Sequence, residues 1–285
     1  MNSKLKLWTQ LGLGTALAGG LLAACGGEAG GEGATGEAGG ESAAVAGEGE
    51  GGAGAGEGTG GEAAGGEGEG GVAVSNAASD PVTYGIALAV AEAHVIAARD
   101  AFAAGKKDAA AEMFAHPASE VLVEMDPVFA KLGVKDFKPL LTDASVAVAD
   151  GKSAADINKH YDAIIAALRG AAAKAPASEA PEGAIATGII ADQIERASAM
   201  YRTAAKDDRY EPYLDGYGFY KVAESAFARS GTAIKAANPD AHARITEALA
   251  LLKQAYPAAT RPAKLPAEQG ALSAASSKVM LAAGS

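Results

Sequence analysis

Cysteine is nearly absent from this chain: Cys25 is the single one among 285 residues. That excludes an internal disulfide framework and any thiolate-rich metal site. Tryptophan is as scarce, with Trp8 alone. No convincing stretch alternates apolar and polar residues in the manner of a β-strand. Phosphate-cradling glycine loops, dinucleotide fingerprints, zinc-protease helix motifs and nucleophile elbows are missing, so the chain is expected not to be an enzyme. No basic stripe with interleaved aromatics occurs, which argues against a nucleic-acid partner. Residues 26–71 lack Lys, Arg, Pro and aromatics altogether.

What is present starts at the N-terminus. Lys4 and Lys6 are followed by an uncharged run to Ala24, which is Leu, Ala and Gly with a single Thr from Leu11 on. A charged start, an apolar middle and small residues before a cleavage point make an export signal. The run is shorter than the roughly 18–20 residues that span a bilayer. Gly12, Gly14, Gly19 and Gly20 weaken a permanent helix further, by about 1 kcal/mol each against Ala. Residues 1–24 are therefore expected to be a signal segment and not a membrane span. The tetrapeptide Leu22-Ala23-Ala24-Cys25 resembles the lipobox of bacterial lipoproteins. The resemblance implies that Cys25 is acylated, becomes the first residue and anchors the chain in a lipid bilayer. Gly26 follows it, which by the same resemblance favours the outer membrane over the inner one. The other reading of the same residues is an ordinary signal peptide that ends near a cysteine. Two or three acyl chains at about 0.8 kcal/mol per buried methylene make a stable anchor.

Residues 26–71 hold 22 Gly and 10 Glu. They have nothing to bury, so residues 25–72 are expected to be a disordered Gly/Glu/Ala tether behind the lipidated cysteine. The tether also explains the net charge of −11. With its 10 Glu and the two Lys of the start set aside, 22 basic side chains face 25 acidic ones, a net of −3.

Beyond residue 72 the composition changes. Ala, Leu, Ile and Val recur at helical spacing, and the stretch 73–257 predicts an all-α, antiparallel multi-helix bundle. Asp80-Pro81 reads as an N-cap and first helical residue, opening a helix to Gly105. A short helix is expected from Lys107 to Ala115, another from Pro117 to Gly133, and a third over Asp136–Asp150. Ser153 with Asp156 resembles a capping box that opens a helix toward Ala173. The loop 174–181 divides the domain. Helices are expected from Pro181 or Glu182 to Lys206, from Pro212 to Ser230 and from Pro239 to Ala255. Residues 258–285 read as an Ala/Pro-rich tail with a weak helix.

Chemistry can be carried at few places. His94 lies on the buried stripe of the first helix; it is either a satisfied core histidine or a metal or ligand contact. His116 precedes Pro117 and is followed by Glu120 and Glu124 at four-residue steps. That set is either helix-end charge complementation or an iron or copper site. Tyr210, Tyr213, Tyr217 and Tyr220 share one helical stripe, flanked by Asp215. Phenol and carboxylate oxygens suit ferric iron, while the same tyrosines also supply bulk to an Ala-rich bundle. Gly216 and Gly218 mark a close backbone approach or a kink.

Two stretches carry a second resemblance. Ala93-His94, Ala115-His116-Pro117-Ala118-Ser119-Glu120 and Phe137-Lys138-Pro139-Leu140 resemble a helical exported domain associated with bacterial iron uptake. Tyr201, Lys206-Asp207-Asp208-Arg209 and Tyr213-Leu214-Asp215-Gly216-Tyr217-Gly218-Phe219 are similar to helical domains that accompany iron permeases, and more distantly to imelysin-type periplasmic proteins. The imelysin pattern Gly-x-His-x-x-Glu is broken: Glu92 precedes His94 and Ala97 stands where the glutamate belongs. The resemblance implies an accessory to iron uptake beside a membrane transport complex, with His94, His116, Glu120, Tyr213, Asp215 and Tyr217 as the residues to watch. A structural adaptor without a small ligand is the alternative.

Overall fold

A computed structural model describes residues 72–284. The signal segment, Cys25 with its expected acylation, and the tether to residue 71 lie outside the described residues. Those described are all-α, with nine helices and no strand. In chain order these are α1 (Pro81–Ala103), α2 (Lys107–Glu120), α3 (Asp126–Leu132), α4 (Lys138–Ala149), α5 (Ala154–Ala172), α6 (Glu182–Ala204), α7 (Glu211–Ala237), α8 (Pro239–Ala255) and α9 (Gln269–Ala283).

Helix α1 is the centre. By length and composition it could cross a membrane. Its apolar surface is instead covered by α2, α5, α6 and α7, and the run from Ala87 to Ala98 is buried without interruption. A helix apolar on all sides is buried on all sides. Asp80 starts it as the sequence implies: its carboxylate accepts from the backbone N–H groups of Val82 at 3.0 Å and Thr83 at 3.1 Å. Asp80→Ala leaves those two donors without a side-chain acceptor. It should cost about 1 kcal/mol and lower Tm by about 2–4 °C in a circular-dichroism melt; an unchanged Tm would refute the cap's role.

Other local signals appear as read. Ser153 Oγ accepts from Asp156 N at 3.2 Å to open α5, and Asn238 Oδ1 accepts from Ala241 N at 3.0 Å to open α8. Gly133 and Gly151 end α3 and α4 with φ of 68° and 71°, values that glycine adopts without a Cβ penalty.

Two boundaries differ. Pro117 lies inside α2 rather than starting a new helix. Its ring is buried, as are Met113 and Phe114 on the same helix, and α2 ends three residues later at Glu120. His116 is therefore within a helix, one turn from its end. Helix α7 runs on to Ala237, two turns past Ser230, because Ile234 is buried against the core. The weak helix expected within 258–285 is present as α9, which packs on α6 and α8 and buries Leu272, Ser276 and Val279.

Candidate functional site

His94 comes from the middle of α1. Its Nδ1 lies 2.9 Å from the Val90 carbonyl. A carbonyl only accepts, so Nδ1 carries the proton and Nε2 presents a lone pair. Opposite Nε2, at 3.6 Å, is Oδ1 of Asp215 on α7; both side chains are only 2 % exposed. A proton on either group, or a metal ion between them, would turn this proximity into a bond. Burial lowers the pKa of His94 to about 4; the Val90 bond opposes that shift, and the nearby His116 and Arg196 reinforce it. The ring is neutral at pH 7 and thus ready to ligate.

Helix α2 brings the second half. His116 and Glu120, one turn apart, place Nδ1 and Oε1 4.0 Å from each other, with exposures of 31 % and 39 %. The rings of His94 and His116 meet edge to face at 5.9 Å. One ligand atom from each of His94, His116 and Glu120 lies within 4.8 Å of the others. Bonds of about 2.0–2.2 Å to one tetrahedral ion place its ligands about 3.3 Å apart. The 3.6 Å between His94 and Asp215 is near that spacing. His116 and Glu120, being half-exposed, can turn inward to close the rest. Two imidazoles and carboxylates, with no thiolate, suit divalent iron, zinc or copper. The donor to the Val90 carbonyl is the kind of support that fixes a ligating histidine's tautomer.

The tyrosines are employed elsewhere. Tyr213 donates to the Ala258 carbonyl at 2.9 Å and Tyr217 to Asp100 Oδ2 at 2.7 Å. Tyr210 donates to Ala259 at 2.8 Å and Tyr220 to Glu224 at 2.6 Å. Burial pushes the pKa of Tyr213 and of Tyr217 upward, the latter also through its Asp100 bond. Tyr210 and Tyr213 thus clasp α7 to the segment after α8, Tyr217 ties it to α1, and Tyr220 bonds within α7. Glu124 sits in the exposed turn after α2, outside the cluster.

Arg196 escaped the sequence reading, and Phe219 entered it only as the end of the Tyr213–Phe219 stretch. The Phe219 ring packs edge-on to His94 at 5.9 Å, and the Arg196 guanidinium lies over Phe219 at 5.9 Å while its Nε donates to Asp192 Oδ2 at 2.8 Å. Nothing local marks either one, since an aromatic and an i,i+4 ion pair are ordinary on helices.

Residues 182–281 match the family described as the iron permease-associated 4-helix bundle domain. The match begins just past the loop that divides the helices, with α6, and ends in α9. It contains Tyr213, Asp215 and Tyr217; His94, His116 and Glu120 precede it. No curated protein and no solved structure matches the chain.

Proposed function

We propose that this chain is a lipid-anchored, non-enzymatic protein of the cell envelope that binds a divalent transition metal, iron first among the candidates, as an accessory to uptake. The observation that carries the reading is the convergence of His94, His116 and Glu120, from two helices, to within 4.8 Å of one another. The matched family's description supplies the iron connection. The lipobox-like Leu22-Ala23-Ala24-Cys25 supplies the anchor and, with Gly26, the outer-membrane expectation.

The test uses the full chain with Cys25→Ser, which needs no detergent and has no competing thiol. Anaerobic calorimetric titration with ferrous salt, and separately with cupric salt, should give one site tighter than about 10 µM, roughly −7 kcal/mol. Glu120→Gln should weaken it about tenfold, as loss of one charged ligand does. Absence of binding at that level would remove the metal reading.

One observation favours a second reading. The family match contains none of the three residues of the cluster, so an adaptor that docks a membrane transport complex through α6–α9 explains the matched part alone. In that case metal titration is silent, while pull-down with an iron permease succeeds.

A further inference from the structure

Helices α1, α5, α6 and α7 enclose a cleft of about 410 Å³ away from the histidines. That is within the roughly 300–1,000 Å³ typical of small-molecule sites. Leu88, Leu168, Ile189 and Val222 line it with aliphatic surface. A partner helix is about 10 Å across and 5.4 Å per turn, so a single turn would fill the space; a slimmer occupant fits better.

Three charged side chains also line the cleft: Glu92, Arg169 and Arg229. Two of them satisfy each other. Arg169 Nη1 donates to Glu92 Oε2 at 2.6 Å, and its Nη2 bonds the other oxygen, a parallel fork. Glu92 is the only charge in the first eighteen residues of α1, and this partner explains how an apolar helix tolerates it. Arg229 is left over. Its Nη1 donates to a neutral acceptor, Ser225 Oγ, at 2.6 Å, and no carboxylate among the described residues lies within ion-pair distance of it. Arg229 is exposed at the cleft's rim; the desolvation it does meet there and the neighbouring Arg169 push its pKa down, against a smaller opposing pull from Glu92. The cleft thus joins an aliphatic body to one cation too many.

We infer that this cleft binds a monoanionic amphiphile, a fatty carboxylate, with its chain along the aliphatic wall and its head group on Arg229. Guanidinium meets carboxylate through paired N–H donors, which gives the head group its orientation. The chain supplies most of the contact by leaving water.

The experiment is calorimetric titration of the full-length Cys25→Ser protein, without detergent, with dodecanoate below its micellar concentration. One saturable site is expected. Arg229→Gln, a surface change that leaves the fold alone, should weaken binding about tenfold, the effect of one charge-assisted pair. Ala226→Leu, which fills the cleft, should abolish it while circular dichroism stays unchanged; should that variant misfold, Arg229→Gln decides. Dodecyltrimethylammonium, of the same length and opposite charge, should not bind. No saturable dodecanoate binding, equal binding of the cationic amphiphile, or an unaffected Arg229→Gln would each overturn the inference.

Discussion

Gly218→Val is expected to destabilise the protein by about 3 kcal/mol, at the upper end of what overpacking costs. A Cβ at this position on α7 would stand 2.5 Å from the Ala93 carbonyl oxygen and 3.2 Å from Ala97 Cβ on α1. The obstacle is backbone, which cannot rotate away, so the two helices would have to separate. Separation would also move Asp215 from His94, since one sits on each helix, three residues before Gly218 and one after Ala93. Urea unfolding should show the loss, and metal titration should weaken with it. Gly170→Ala on α5 is the control. Nothing lies within 4 Å of its Cβ, and helix propensity alone should make it more stable by about 0.5–1 kcal/mol. Equal stability of Gly218→Val and the parent would disprove the close helix crossing.

The second large effect is a pH dependence centred on His94 in the metal-free protein. The folded pKa is about 4, against 6.5 for the free side chain, because the ring is wholly buried. Between these values the unfolded chain binds a proton that the folded chain refuses. Stability from this group is therefore complete above pH 6.5 and lost as pH falls toward 4. At 1.36 kcal/mol per pKa unit, the whole swing is about 3 kcal/mol. Asp215 at 3.6 Å pulls the other way, but removing an imidazolium from water outweighs a single contact of that length. His94→Gln should flatten the slope relative to the parent in urea unfolding at pH 7, 5.5 and 4.5. A parent that grows more stable toward pH 5 would mean an ionised His94–Asp215 pair and would sink the prediction.

Legibility differed from element to element for physical reasons. The starts of α1, α5 and α8 could be read because a cap is a local event, settled by a side chain and the N–H groups two or three residues on. Pro117 misled for the same reason. As a local rule it begins helices, yet here it lies inside α2, buried like Met113 one turn earlier. The tyrosines were visible as a stripe, but their use was not. A phenol's partner, such as Ala258 for Tyr213 or Asp100 for Tyr217, lies 45 or 117 residues away.

By itself the sequence determined that the described part of this protein is helical and where most of its helices begin. Each of these follows from spacing within a turn or two. Only the tertiary structure decided that His94 meets His116, that Asp215 reaches across from α7, and that Arg229 lacks the carboxylate Arg169 has. Such pairings depend on how helices cross, and crossing is set by the sum of many weak contacts between distant residues, of which no short stretch carries a record.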